Sequence, residues 1–145
     1  GFYRDDIDAL SLEGHDVLPT NDLRDILKYR PRLVVGYFYS KSVAAALLGR
    51  LVGANVILTG GADQIAPVLV SGFSLVVRRV FAFIGLVLAH RVLLSCSDDV
   101  DNFNKLTFGM PFLRNKIKRV NHVVIPVSNQ YNESVNTENV FTILT

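Results

Sequence analysis

The chain has 145 residues, half of which are hydrophobic, and its formal net charge is +2. This length and composition predict one folded domain with a full hydrophobic core and exclude extensive disorder. The small net charge gives no indication of nucleic-acid binding. The single cysteine, Cys96, excludes an internal disulfide bond, so we expect a reducing compartment, the cytoplasm.

Apolar runs alternate along the chain with segments of helical periodicity. The runs are continuous rather than alternating with polar residues, which is typical of a parallel sheet buried under helices on both faces. We therefore predict an α/β fold. Its strands are predicted at 15–18, 33–38, 56–58, 92–94, 123–127 and 140–144.

The helices are predicted from apolar spacing and from capping residues. A short helix is expected within 5–12, and Asn21 is predicted to cap the helix that follows the first strand. Ser40 or Ser42 is predicted to cap the next helix, and Ser97 a later one. The polar segments 115–121 and 128–139 are predicted to be surface loops or a linker.

Polar and small residues follow the predicted strands at their carboxyl ends, where open parallel sheets bind ligands. They are Ser40 and Lys41 after the second strand, Gly60, Gly61 and Asp63 after the third, and Ser97 after the fourth. Helix capping alone explains the serines, and a capped turn explains Asp63 as well as ligand contact does. A bound anion would offset the charge of Lys41 near a helix start, and a solvated lysine is the alternative.

The Gly60-Gly61 pair predicts either a tight turn or close approach of a ligand to the main chain. It is not part of a G-x-G-x-x-G motif or a P-loop, so no nucleotide-binding motif is identified. The histidines and the cysteine lack metal-ligand spacing, so we expect no metal or other cofactor. His90, at the end of a predicted helix, is expected to satisfy terminal carbonyl groups.

The apolar segment 64–89 has the length of a membrane span, but two arginines lie at its centre. On insertion scales each arginine would cost about 2.5–3.5 kcal/mol. We predict a mostly buried helix, and the alternatives are a helix with one end at a membrane surface and a membrane-inserted protein. At helical spacing the segment has a narrow stripe of small or polar residues, namely Ser74, Arg78, Ala82, Gly85 and Ala89.

Five short segments follow one another along nearly the whole chain. They are E-G-H-D-V at 13–17, R-P-R-L-V-V-G-Y-F at 30–38, N-V-I-L-T-G-G-A-D at 55–63, H-R-V-L-L-S-C-S at 90–97 and V-V-I-P-V at 123–127. Their succession resembles the amino-terminal domain of GT-B glycosyltransferases. It is most similar to the large retaining group 1, or family 4, of bacterial and archaeal glycosyl transferases.

The resemblance implies a Rossmann-like domain over 1–128, one half of a GT-B enzyme, with 129–145 as the linker and start of a second domain. The implied reaction is retaining hexosyl transfer from a nucleotide-sugar donor to a saccharide or lipid-linked acceptor, as in polysaccharide biosynthesis. The second domain would bind most of the donor, so this chain alone is expected to be inactive. A peripheral position at the inner face of the membrane is also implied. Position by position, Gly61 and Asp63, followed by Gly60 and Ser97, match residues that line the cleft of the family.

The chain departs from the family pattern at two places. Gly60 stands where the family often has a histidine, and I-P-V-S-N-Q at 125–130 replaces the usual I-P-N-G-V-D. No catalytic residue is identified from the sequence. Two other interpretations stay open. One is a non-catalytic Rossmann-like binding domain, and the other is a membrane-inserted protein built on 65–89.

Overall fold

The computed structural model describes residues 7–8, 11–12, 14, 16–37, 42–60, 65–67, 70–120 and 140–144, the last range as backbone. Ile7, Asp8, Ser11 and Leu12 are helical. The strands are β1 (Asp16–Thr20), β2 (Leu33–Tyr37), β3 (Asn55–Thr59), β4 (Arg91–Leu94), β5 (Ile117–Arg119) and β6 (Val140–Leu144). The helices are α1 (Leu23–Tyr29), α2 (Val43–Leu51), α3 (Gly72–Leu88), α4 (Ser97–Leu106) and α5 (Pro111–Arg114).

The six strands form one sheet in the order β1-β6-β2-β3-β4-β5. All the pairings are parallel, with Val34 opposite Val56 and Leu58 opposite Val92 in the central strands. The continuous run β2 to β5 is connected through helices that pack on the sheet. The predicted α/β fold is thus confirmed, and the architecture is a Rossmann-like parallel sheet flanked by helices.

The main hydrophobic core lies between the sheet and a layer formed by all five helices. Val34, Val56 and Val92 point to this side, where they meet Ile26 of α1 and Phe103 of α4. The chain moves in one direction across the sheet from β1 to β5, and right-handed crossovers in one direction place their helices on the same face.

A smaller apolar cluster covers part of the opposite face. Alternation along β2 turns Val35 and Tyr37 to that side, where Ile7 of the short opening helix packs on them. Helical residues therefore contact both faces of the sheet, as predicted, but the helix layer α1–α5 covers one face far more extensively.

Most of the predicted strands are confirmed, and one predicted loop is wrong. The strands at 15–18, 33–38, 56–58, 92–94 and 140–144 correspond to β1, β2, β3, β4 and β6. Within 115–121, predicted to be a loop, Ile117–Arg119 forms β5, because Ile117 is buried and the backbone pairs with β4. The strand predicted at 123–127 lies outside the described residues.

Residues 129–145 were assigned above to a linker and the start of a second domain. In the described part of that range, Val140–Leu144 pairs with β1 on one side and with β2 on the other. The division at residue 128 stays a prediction.

Two helix caps lie one residue away from their predicted positions. The cap of α1 is Asp22 rather than Asn21, and the carboxylate of Asp22 accepts a 2.9 Å hydrogen bond from the Arg24 N–H. The residue at the cap of α4 is Cys96, so Ser97 is the first helical residue rather than the cap. Helix α1 therefore begins one residue later than the sequence pattern indicated, and α4 begins one residue earlier.

Helix α3 buries only Ala82, Gly85 and Leu86, so the prediction of a mostly buried helix is wrong. Ala82, Gly85 and Ala89 of the predicted stripe are buried against the core. By contrast, Phe73 is 83% exposed and Val76 is 56% exposed. Among the described helices none is long and apolar enough to cross a membrane.

We expect Phe103→Ala to destabilise the fold by about 3–5 kcal/mol, because a fully buried aromatic side chain would leave a cavity under the sheet. The matched variant is Phe112→Ala, whose side chain is 62% exposed, and it should cost less than about 0.5 kcal/mol. Urea denaturation of both variants measures the difference. Equal losses of stability would contradict the assignment of Phe103 to the core.

Candidate functional site

The carboxyl ends of the strands lie along one edge of the sheet, here called the carboxyl edge. Because every strand pairing is parallel, the strands all end on the same side. The turns that follow β3 and β4 therefore share this edge, which brings Gly60 and Ser97 to the same side of the molecule. Of the other candidate residues, Ser40, Lys41, Gly61 and Asp63 lie outside the described residues.

The exit of β3 has a backbone conformation that favours glycine. Thr59 ends the strand half-buried, and Gly60 follows with a φ of +123°. Side chains of L-residues rarely adopt this region, so a residue with a Cβ would be strained here. The first glycine of the pair is thus explained by the turn at the carboxyl edge.

The exit of β2 is fixed by a close contact between the strand and the start of α2. Ser42 is at the cap position of α2, but its hydroxyl donates to the carbonyl oxygen of Tyr37 at 2.5 Å instead of capping the helix. A Cβ at Gly36 would lie 2.6 Å from the Cβ of Ser42, a distance that requires something to shift. Gly36 therefore allows Ser42 to reach the strand and close this turn.

Carboxylates begin two of the helices that start from the carboxyl edge, α1 and α4. After β1, the Thr20 hydroxyl accepts the Asp22 N–H at 2.9 Å and donates to the Asp25 carboxylate at 2.6 Å. After β4, Asp98 and Asp99 lie in the first turn of α4. Negative charge is favourable at helix amino ends, so these residues are stabilised there before any ligand is considered.

The opposite, amino edge of the sheet carries a cluster of cations. Nζ of Lys116 donates to the carbonyl oxygens of Leu86 and Val87 at 3.2 and 2.7 Å, which satisfies the end of α3. Arg50 and Arg91 lie near enough to lower the pKa of Lys116, in addition to the larger effect of burial. The prediction that His90 satisfies these carbonyls is wrong, because Lys116 does so.

His90 accepts a hydrogen bond instead. Its Nδ1 accepts the backbone N–H of Val56 at 2.9 Å, and Arg50 contacts its Nε2. Burial lowers the pKa of His90 below its usual value, and the charges of Arg50, Lys116 and Arg91 lower it further. Protonation of Nδ1 would also remove the acceptor of the Val56 N–H. His90 is therefore a structural, neutral histidine, and it lies on the edge opposite to the candidate site.

Sequence reasoning missed two contributors to the carboxyl edge. The Thr20 hydroxyl links Asp22 and Asp25, and Gly36 admits the side chain of Ser42. A signal for Gly36 was present, because a glycine inside a strand pattern often marks close approach of another group. The pattern T-N-D at 20–22 carried the other signal, since threonine and aspartate before a helix favour local hydrogen bonds.

Comparisons of the chain with protein-family models, with curated proteins and with solved structures found no match. The class of protein is defined by the parallel sheet and its helices, and it is the Rossmann-like α/β class.

We expect Gly36→Ala to destabilise the fold by about 1–3 kcal/mol, because the added methyl group overlaps the side chain of Ser42. The variant Ser42→Gly removes both the overlapping Cβ and the hydroxyl. The double variant should therefore be less destabilised than the sum of the two single variants, measured by urea denaturation. Strict additivity would show that the two residues do not compete for the same space.

We expect stability to fall as the pH is lowered from 7.5 to 5.5, because the unfolded chain takes up a proton on His90 that the folded chain resists. A lowered folded-state pKa contributes stability above the unfolded pKa and loses it as the pH falls towards the folded pKa. In His90→Gln, whose amide oxygen can accept the Val56 N–H, the denaturation midpoint should fall less over the same range. An identical pH dependence in both proteins would contradict this.

Proposed function

We propose that this chain is the acceptor-side domain of a retaining GT-B glycosyltransferase in the cytoplasm. The proposed reaction transfers a hexose from a nucleotide-sugar donor to a saccharide or lipid-linked acceptor. The donor would be held mainly by a second domain, so the chain alone would bind acceptor without catalysing transfer. The sequence resemblance supports this proposal, and the Rossmann-like architecture agrees with the fold that the resemblance implies.

The observation that carries the proposal is the shared carboxyl edge of a fully parallel sheet. Open α/β sheets bind ligands outside the carboxyl ends of their strands. Gly60 and Ser97 end two neighbouring strands there, β3 and β4. Both positions also match cleft-lining residues in the glycosyltransferase resemblance.

The carboxylates at the starts of α1 and α4 suit an acceptor sugar better than a nucleotide diphosphate. Asp22 and Asp25 begin α1, and Asp98 and Asp99 begin α4. Carboxylates accept hydrogen bonds from sugar hydroxyls and repel phosphates. This distribution favours the acceptor side of the enzyme over the donor side.

Asp63 is the residue proposed to contact the acceptor most directly. It follows the last residue of β3, Thr59, by four positions, and Gly60 directly after the strand has a conformation that favours glycine. In the proposal its carboxylate accepts a hydrogen bond from an acceptor hydroxyl. Gly61 would let the acceptor or a neighbouring loop approach the main chain.

The proposal is tested by NMR titration of the chain with a panel of saccharides and with nucleotide sugars. We expect saccharides to shift the backbone signals of Gly60 and Ser97, and nucleotide sugars to bind much more weakly. Nucleotide sugars binding alone at this edge would contradict the acceptor-side assignment. An unchanged spectrum with the whole panel would favour the alternative, a non-catalytic interaction domain.

We expect Asp63→Asn to weaken saccharide binding by about 10- to 100-fold, the range expected for losing one hydrogen bond to a charged group. The melting temperature should be nearly unchanged. The matched control is Asp101→Asn, an exposed carboxylate within α4, which should bind as the parent chain does. If Asp63→Asn lowers the melting temperature and leaves binding intact, Asp63 is a structural cap.

A further inference from the structure

Helix α3 presents a continuous apolar face to the solvent. Phe73, Val76, Val80, Ile84 and Val87 are all exposed and are spaced three or four residues apart, so they share one side of the helix. We call these five residues the docking face. A helix at the surface of a water-soluble protein normally shows the reverse arrangement, with its large apolar residues towards the core.

The docking face extends towards α4 through an aromatic pair. Phe108, just beyond α4, is highly exposed, and its ring meets that of Phe83 edge-on at a centroid distance of 5.8 Å. On the other side of α3, the neighbouring helix α2 exposes Leu47 and Leu51. The apolar surface is therefore not confined to one helix.

A groove of about 390 Å³ borders the docking face. Val76, Val80 and Phe108 contribute apolar walls, and Arg79 and Lys105 contribute the charges. An apolar groove with two cations at its lining matches an amphiphile that has an acyl chain and an anionic head group.

The charged residues that line the groove, Arg79 and Lys105, are both cations. Between Asp63 and Asp98 the sequence contains Arg78, Arg79 and Arg91 and no carboxylate. A second copy of the chain placed symmetrically on this face would bring the same cations together inside an apolar interface. Anionic lipid head groups would instead neutralise them. Charge complementarity therefore favours a lipid surface over self-association.

We propose that the docking face binds the surface of a bilayer that contains anionic lipids, with α3 lying in the plane of the interface. Its 17 residues correspond to about 25 Å of helix, and one side packs on the domain while the exposed apolar side suits an in-plane position. The valines, Phe73 and Ile84 enter the acyl boundary. Arg79 and Lys105 contact lipid phosphates, and the groove between them accepts part of an acyl chain. This inference does not depend on the proposed enzymatic function.

The test is sedimentation of the chain with vesicles of phosphatidylcholine containing 30% phosphatidylglycerol, compared with pure phosphatidylcholine. We expect at least about tenfold stronger binding to the anionic vesicles, and a decline as salt is raised. Equal binding to both vesicle types would overturn the role of the cations. A stable dimer that binds neither vesicle type would overturn the proposal and identify a second copy as the occupant.

Variants separate the apolar and the charged contributions. Val76→Ser with Val80→Ser should lower anionic-vesicle binding at least tenfold, whereas Leu12→Ser, at a residue that is 57% exposed outside the docking face, should not. Arg79→Gln with Lys105→Gln should lower binding to the anionic vesicles about fivefold for each cation removed.

The control for the cations is Arg32→Gln with Lys118→Gln, two exposed cations outside the docking face. Circular dichroism establishes that each variant is folded. If the control variants lose as much binding as the docking-face variants, attraction to the vesicles is non-specific and the proposed surface is wrong. Because no sugar enters the assay, its failure is separate from any failure of the glycosyltransferase proposal.

Discussion

The parallel direction of the strands is the constraint on which the other features of this molecule depend. Parallel neighbours require a crossover after each strand, so the chain must return to the amino edge before the next strand begins. The returning helices then cover one face of the sheet and bury the apolar side chains that the central strands present on that face. The same constraint gathers the strand exits, including Gly60, at one edge. The parallel direction of the strands thus determines the positions of both the core and the candidate site.

Buried strands were easier to predict from the sequence than exposed ones. Strand β2 is almost entirely buried and β3 buries Val56 and Leu58, and both strands were predicted nearly to the residue. Strand β5 has only Ile117 buried, with Lys118 and Arg119 exposed at the edge of the sheet, so its composition is that of a loop. Its strand conformation comes from pairing with β4, a long-range contact that no local pattern contains.

Helix α3 shows why an apolar composition does not determine which side is buried. Its side chains are apolar nearly all round, so hydrophobicity does not distinguish the faces. The buried side of α3 carries the small residues Ala82 and Gly85 together with Leu86. A small residue also lies at a close contact in α2, where a Cβ at Gly49 would lie 3.0 Å from Val56. Only part of the candidate site was predictable for a similar reason, since the Gly36–Ser42 contact depends on how α2 meets the sheet.

The position of β6 has a consequence for how the chain is made. Strand β1 pairs with β6, which follows all the other described strands in the sequence and lies between β1 and β2. During synthesis the strands β2 to β5 can pair as they leave the ribosome. Strand β1 cannot pair until β6 has been synthesised. More than a hundred residues separate the partners Asp16 and Val140, so their meeting closes the longest loop in the sheet. Ribosome stalling ahead of residue 140 would therefore leave a nascent chain with an open sheet margin, a natural target for chaperones.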